Sequence, residues 1–479
     1  MKKVTVKVGF APTRRTIFDK AEAKRFKDLI EAKLRAEQVN LVNLDFLNDE
    51  GLLFALADAK KVADRFRQEE VDALFVPHCN FGTEDAVGKL AKLVGKPVLL
   101  WGPRDDAPDE KGSRKRDTQC GLFATSKALR RFGVPFTYLP NSWLESPAFA
   151  RGFQDFLRAV AAAKAVLGAR IGLVGSRPKP FWSVIFNEGE LLERFGVEVV
   201  PVSLPAVERG VKDILTRNPE ELRALVADLK ARISFPNQED EAIARQAALV
   251  LFEQALAERE NLSAFAVGCW PDLPGLLGHW SCFAGGEVTG AGLPVGCEAD
   301  VLAALTALAM QAAAESPTFC ADLTVRHPEK ENAELLWHCG PFPSVLADPE
   351  VEKRVVGYDD PVNKHSGLAQ WRIRGGPVTI GRLDGDRGAY SFFIGEAKGT
   401  EGPYTRGTYL WIEVKDWLQW EERFIYGPYI HHVVGVHGHV AAILYEACKY
   451  IPGLAPDPVE PGEEELRAYW RGGAAGGDR

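Results

Sequence analysis

The sequence predicts an α/β fold in which two doubly wound parallel-sheet domains, Rossmann- or flavodoxin-like, precede a small antiparallel β-barrel-like domain. Three observations support this. Short apolar strands alternate with amphipathic helices in the first third, the same alternation resumes after an Ala-rich helix, and helical periodicity fades beyond residue 322. We therefore expect three domains, at residues 1–165, 166–317 and 318–479 of the 479-residue chain.

The first predicted domain opens with the alternating strand Val4 to Phe10, which a charged helix from Ala21 to Gln38 follows. Polar residues stand in the loops after its strands: Arg14 follows the first strand, and Asn80 follows the strand that ends at Pro77. In parallel α/β sheets such loops lie at the ligand-binding edge. An arginine beside a helix is also commonly a solvated surface charge, so both interpretations stay open.

The second predicted domain repeats the strand and helix alternation. Its strands are Arg170 to Gly175, Val197 to Val202, Ala264 to Gly268 and Leu293 to Cys297. The glycines of its first strand do not form a dinucleotide-binding fingerprint, so the pattern does not favour a nucleotide site. Trp270 stands at a strand end, where its ring could stack on a sugar or fill the core.

The third predicted domain consists mainly of short alternating strands separated by Gly-rich turns. These strands are Leu368 to Arg374, Val378 to Leu383, Ala389 to Glu396 and Tyr409 to Val414. Several strands at this spacing are typical of a small antiparallel barrel or sandwich. A helix from Val440 to Tyr450 is expected to close the fold.

Composition limits the classes of partner. A net charge of −8 and a pI near 5.8 give no basic surface for nucleic acid or for an anionic membrane. The chain begins with an alternating strand instead of an apolar signal segment, and no segment reaches the roughly 18 apolar residues of a membrane span. We therefore expect a cytoplasmic protein. The eight cysteines include no CxxC pair, which indicates neither a zinc ribbon nor a disulfide framework.

Glu298 and Asp322 are the main candidates for chemistry. The segment between them is predicted as strand, helix and strand, so each acid is expected to end a strand. Two carboxylates at neighbouring strand ends can converge on one crevice, and an imidazole would complete a divalent metal site. Taken by itself, a carboxylate such as Glu298 is more often a helix cap or a surface charge, and only the expected convergence with Asp322 and the paired histidine favours a site.

Histidines provide the candidate imidazole. His431 and His432 form a pair, and because alternate residues of an extended segment face opposite ways, we expect one to coordinate a metal and the other to meet substrate. His338 follows Asp322 closely in sequence and is a further candidate ligand or proton-handling group. Surface histidines without a ligand remain the alternative for the pair.

The chain resembles the L-fucose isomerase and L-arabinose isomerase superfamily over essentially its whole length in domain order. The resemblance lies in Cys297-Glu298-Ala299-Asp300-Val301 and in Ala321-Asp322. It implies that Glu298 and Asp322 bind Mn²⁺, or another divalent cation such as Mg²⁺ or Co²⁺, and act as the acid/base pair. It also implies that His432 is the third ligand. His338 falls where the arabinose enzymes carry a metal-site histidine and the fucose enzymes do not.

The resemblance implies a metal-dependent aldose–ketose isomerase that acts through an enediol on a pentose, a 6-deoxyhexose or a related hexose. Two carboxylates on a divalent ion supply the base, the acid and the electrophile that this reaction needs. The family further implies a homo-oligomer, hexameric or trimer-based, in which a neighbouring first domain covers the active site. The expected substrate-binding residues are Arg14, Asn80, Trp270, His338 and His431.

Two alternatives remain at this point. One is a sugar-binding or sensing protein, since two α/β lobes around a cleft also describe periplasmic binding proteins. The other is an isomerase-like protein that has lost or changed its reaction.

Overall fold

The computed structural model describes residues 4–217, 219–357 and 365–473, which divide into two compact units. The N-terminal unit contains residues 4–164 and 464–473, and the central unit contains the described residues between 165 and 463. The predicted division into three domains stays a prediction. Within the described part of the chain, no helix is long and apolar enough to cross a membrane.

The elements are numbered along the chain. The strands are β1 (Lys7–Phe10), β2 (Asn40–Val42), β3 (Ala73–Pro77), β4 (Val98–Trp101), β5 (Phe136–Tyr138), β6 (Arg170–Val174), β7 (Glu198–Val202), β8 (Ala264–Val267), β9 (Val295–Cys297), β10 (Thr318–Arg326), β11 (Ala333–His338), β12 (Arg354–Gly357), β13 (Ser366–Arg372), β14 (Gly376–Asp386), β15 (Ala389–Thr400), β16 (Thr408–Glu413), β17 (His432–His437) and β18 (Leu454–Glu460). The α-helices are α1 (Lys20–Ala36), α2 (Asp58–Gln68), α3 (Glu84–Val94), α4 (Thr118–Arg131), α5 (Pro147–Val166), α6 (Glu188–Phe195), α7 (Leu204–Arg217), α8 (Pro219–Arg232), α9 (Asp240–Glu260), α10 (Asp272–Leu277), α11 (Cys282–Gly290), α12 (Val301–Ala314), α13 (Trp417–Tyr426), α14 (Ala441–Cys448) and α15 (Glu463–Trp470).

The N-terminal unit is built on a parallel five-stranded sheet in the order β2-β1-β3-β4-β5. This order reverses beside β1, as in doubly wound sheets. The closing segment of the chain packs on α5 of this unit. The Tyr469 hydroxyl donates to Asp155 Oδ2 at 2.5 Å, and Arg151 donates to the Tyr469 carbonyl at 3.1 Å.

The central unit contains a parallel four-stranded sheet in the order β7-β6-β8-β9 and a larger mixed sheet. Helix α12 lies between them, because it contacts β8 and β9 of the first sheet and β14 and β17 of the second. Apart from Thr306 and Gln311 its side chains are apolar, and the buried ones lie on every face, as the burial of a helix on two sides requires. This helix therefore links the strand that precedes Glu298 to the mixed sheet.

The mixed sheet closes on itself. Its strand order is β12-β13-β16-β11-β10-β17-β14-β15-β18, and a further pairing of β15 with β16 completes a ring of antiparallel pairs from β16 round to β15. The four strands predicted for this region are present as β13 to β16. The β14–β15 hairpin turns through Arg387 and Gly388, whose positive φ angles of 51° and 79° suit a two-residue hairpin.

Candidate active site

Glu298 stands where the predicted strand-to-helix turn places it, directly after β9. The turn contains two consecutive residues in the left-handed region, Glu298 at φ 59° and Ala299 at φ 61°. Each such residue costs about 1–2 kcal/mol outside glycine. Asp300 then caps α12, because its Oδ1 accepts from the Ala303 amide at 2.9 Å. The strained turn thus directs the Glu298 side chain outward from the carboxyl end of the parallel sheet.

Asp322 does not end a strand, so that part of the prediction is wrong. It lies inside β10, with Trp337 of β11 on one side and His432 of β17 on the other. The strand continues to Arg326 because β11 still offers it a pairing partner beyond Asp322. The two acids therefore approach each other from different sheets, and the mixed sheet sets the position of Asp322.

His432 joins the two carboxylates. Its fully buried ring has Nε2 2.9 Å from Glu298 Oε2 and 3.6 Å from Asp322 Oδ1. Its Nδ1 lies 2.9 Å from Asp300 Oδ2, and since a carboxylate only accepts, Nδ1 donates there. In the neutral ring, Nε2 then presents a lone pair to the Glu298 oxygen. A proton or a cation must stand between these two acceptors.

Two further polar atoms face the same point. Asp322 Oδ1 and His338 Nε2 are buried, have no hydrogen-bond partner among the described residues and lie 4.0 Å apart. His338 Nδ1 accepts from the Cys339 amide at 2.9 Å, so the proton of the neutral ring sits on Nε2. His338 thus presents a donor towards Asp322 instead of a lone pair for a metal.

His431 immediately precedes β17, so the alternation of strand side chains does not fix the direction of its ring. The two ring centroids are 4.5 Å apart, and nitrogens of both rings lie with an oxygen of Asp322 in a group spanning at most 4.8 Å. A second such group contains Glu298, His338 and His432. His431 is exposed, which suits a residue that meets substrate.

The charges of the site fit a divalent cation. Burial opposes ionisation of Glu298, but the hydrogen bond from His432 holds the pKa of that carboxyl below its ordinary value of 4.5. Burial by itself would lower the pKa of His432, but hydrogen bonds to Asp300 and Glu298 raise that pKa to about 10. The site therefore favours a positive charge at Nε2.

Trp270 contacts Glu298, a candidate catalytic residue, directly. Its indole Nε1 donates to Glu298 Oε1 at 2.8 Å, so this tryptophan orients the carboxylate. Phe181 packs edge-on against Trp270, with ring centroids 5.4 Å apart, and lies 6.5 Å from the His431 ring. These two aromatic rings form one wall beside the group of acids and histidines.

Arg14 and Asn80 lie in the N-terminal unit, at the carboxyl edge of its sheet. Arg14 is buried and makes a bidentate ion pair with Glu50 at 2.6 and 2.9 Å. Asn80 has no exposed surface, and its Oδ1 accepts from the amides of Arg15 and Gly82. Both side chains hold the loops of their own unit. Their predicted contact with substrate stays a prediction.

Sequence patterns do not predict a functional role for three residues near the site: Asp300, Arg382 and Phe181. Asp300 precedes an apolar helix, which is a sequence signal for a cap but not for contact with His432. Arg382 donates to Asp300 Oδ2 at 2.6 Å from 82 positions further along the chain. Phe181 follows a strand-end loop without any motif.

The known proteins that are similar to this chain include sugar isomerases. The profile of the fucose/sulfoquinovose isomerase N-terminal domain matches residues 9–169. A sulfoquinovose isomerase of Priestia megaterium is 24% identical over 405 residues, covering 83% of this chain and 88% of the relative. Together these matches support the fucose isomerase-like superfamily for this chain.

A sulfoquinovose isomerase of Alkalicoccus urumqiensis is 26% identical over 352 residues, covering 72% of this chain and 76% of that protein. The superfamily resemblance expected from the residues around Glu298 and Asp322 is thereby confirmed. These relatives support a sugar isomerase, and their names imply an aldose–ketose isomerase.

Proposed function

We propose that this protein is a metal-dependent aldose–ketose isomerase whose active site consists of Glu298, Asp322 and His432. One observation carries the proposal: Glu298 Oε2 and Asp322 Oδ1 lie 2.9 and 3.6 Å from the same imidazole nitrogen, His432 Nε2. Mn²⁺ is the expected cation, with Mg²⁺ and Co²⁺ as alternatives, because this ligand set is rich in carboxylate. Zinc prefers four-coordinate sites of cysteine and histidine.

The chain's own residues perform the proton transfers. One of the two carboxylates removes the proton from C2 of the open-chain aldose while a proton reaches O1, which gives the enediol. Return of a proton to C1 and loss of the O2 proton then give the ketose, so no external oxidant or reductant is consumed. A bound divalent cation supplies the electrophile that stabilises charge on the sugar oxygens.

The surroundings suit these roles. Trp270 fixes one oxygen of Glu298 and leaves the other towards His432. His338 presents an N–H towards Asp322, where it can donate to a sugar oxygen between them. His431 is the exposed neighbour that can meet a hydroxyl, and the Phe181 and Trp270 rings offer an apolar wall to a sugar face.

Sulfoquinovose is the first substrate to test, because the curated relatives are named sulfoquinovose isomerases. The test incubates the protein with Mn²⁺ and separate samples of sulfoquinovose, 6-deoxyhexoses and pentoses, and measures ketose by chromatography and NMR. We expect one class of sugar to give ketose, and we expect removal of Mn²⁺ by a chelator to abolish ketose formation. Sugar binding without ketose, at verified metal occupancy, would favour the sugar-binding alternative and refute the isomerase.

Two substitutions test the assignment of the carboxylates. Glu298→Gln or Asp322→Asn should lower turnover by about 10²–10⁴-fold, the usual loss when a general acid or base is removed. Glu258→Gln is the control, because it makes the same change at an exposed position of α9. Turnover at the wild-type level in either site variant, at matched metal occupancy, would refute the acid/base roles.

A further inference from the structure

We propose that Asp300, held by Arg382, is the positioning residue that selects the metal-binding form of His432. The inference rests on the proposed metal site and concerns a residue outside its ligand set. It assigns a second role to the side chain that caps α12.

The Asp300 carboxylate is fixed by three donors. Oδ1 accepts from the Ala303 amide at 2.9 Å, while Oδ2 accepts from Arg382 at 2.6 Å and from His432 Nδ1 at 2.9 Å. Asp300 and Arg382 are essentially inaccessible to solvent. Arg382 is held in turn by Asp384, whose Oδ2 accepts from Arg382 Nε at 2.8 Å. Neither the carboxylate nor the guanidinium can rotate without breaking a buried ion pair.

This arrangement determines which nitrogen of His432 carries the proton. Asp300 Oδ2 can only accept, so the proton of the neutral ring stays on Nδ1 and the lone pair stays on Nε2. Nε2 is the atom that faces Glu298 and Asp322. A histidine that ligates a metal commonly donates its other N–H to a carboxylate, which fixes the ring and raises its basicity.

An amide at position 300 cannot replace the carboxylate. If the amide oxygen of Asn occupied the Oδ2 position, its NH₂ group would face the Ala303 N–H, donor against donor. If the amide were reversed, its NH₂ group would face Arg382 and His432 Nδ1, and the ring proton would move to Nε2. Either orientation leaves two hydrogen-bond donors facing each other in a buried position. In the second orientation the proton on His432 Nε2 also blocks the atom that would bind the metal.

The test measures Mn²⁺ affinity directly, from the electron paramagnetic resonance signal of free Mn²⁺, without any sugar or turnover. Asp300→Asn should raise the Kd by about 10–100-fold, as loss of a residue that supports a ligand usually does. Asp300→Ser should do the same while keeping a residue that can cap α12. Asp416→Asn is the control, because Asp416 caps α13 through the Leu418 amide. The Kd of this variant for Mn²⁺ should equal that of the wild type.

A double-mutant cycle separates positioning from general destabilisation. In a His432→Gln background, Asp300→Asn should weaken Mn²⁺ binding no further, because its effect passes through the imidazole. Thermal unfolding with bound Mn²⁺ verifies that each variant is folded.

The outcomes separate this inference from the proposed function. Unchanged Mn²⁺ affinity in folded Asp300→Asn and Asp300→Ser, beside a wild type that binds Mn²⁺ and isomerises sugar, would overturn the positioning role alone. If Asp300→Asn weakened Mn²⁺ binding equally in the wild-type and His432→Gln backgrounds, the positioning role would also be overturned. A wild type that binds no Mn²⁺ would overturn the metal site and this inference with it.

Discussion

Asp322 and His432 are directly opposite each other on the antiparallel strands β10 and β17, with Asp322 Oδ1 3.6 Å from His432 Nε2. The register of one sheet therefore fixes the distance between an acid and the imidazole. Glu298 reaches the same nitrogen from the other sheet of the central unit, through the strained turn before α12. The candidate site depends on how these two sheets pack against α12, since neither sheet carries the whole group.

Trp270 should matter for turnover through its hydrogen bond to Glu298. Trp270→Phe keeps an aromatic ring but removes the donor, so we expect kcat to fall about 10-fold with a smaller change in KM. Trp420→Phe is the matched control, because the indole of Trp420 also donates a hydrogen bond to a glutamate, but that glutamate is Glu460 and not Glu298. A Trp270→Phe enzyme with unchanged kcat would show that Glu298 needs no such support.

Glu253 should give the protein a pH-dependent stability. Burial raises its pKa to about 8 in the folded state, against the ordinary 4.5 of the unfolded chain. Between these values the folded state holds a proton that the unfolded state has lost. The free energy of unfolding therefore falls as pH rises through this window, by up to about 1.4 kcal/mol per pH unit, and changes no further above it.

Glu253→Gln should remove this slope. We expect the variant to melt at a higher temperature than the wild type at pH 8 and at a similar temperature near pH 5. Glu258→Gln, an exposed position of the same helix, should change neither value. Parallel pH curves for Glu253→Gln and the wild type, measured by calorimetry, would contradict the raised pKa.

The backbone of the Glu298 turn makes a separate prediction. Ala299 has φ 61°, which glycine adopts at little cost, so Ala299→Gly should leave the free energy of unfolding nearly unchanged. Ala307→Gly, at an equally buried helical position of α12, should cost at least about 1 kcal/mol. Chemical denaturation of both variants measures the difference. Equal losses would mean that Ala299 is not held in the left-handed region.

The homo-oligomer that the resemblance predicts gives a test of Asn80. If a neighbour's N-terminal unit completes the active site, subunits with Glu298→Gln and subunits with Asn80→Ala should restore part of the activity when they assemble together. Both variants must be inactive alone, and co-assembly must be verified by mass. A fully active monomer in light scattering, or co-assembled particles without activity, would refute a role in trans.

Local sequence patterns predict much of the fold and part of the site. The alternation of strands and helices, and the strand-to-helix turn at Glu298, depend on residues close in sequence. The position of Asp322 inside β10 does not, because β10 continues only where β11 and β17 pair with it. The contact of Asp300 with Arg382 spans 82 positions, so no local pattern reports it.

We propose that Glu298, Asp322 and His432 hold one divalent cation, and anomalous scattering at the manganese edge locates such an ion. Crystals grown with Mn²⁺ should show one strong peak within about 2.0–2.4 Å of an oxygen of Glu298, an oxygen of Asp322 and Nε2 of His432. The peak should weaken in Glu298→Gln crystals. No peak at this position, or a peak coordinated by His338 with His432 remote from it, would show that these three residues do not form the metal site.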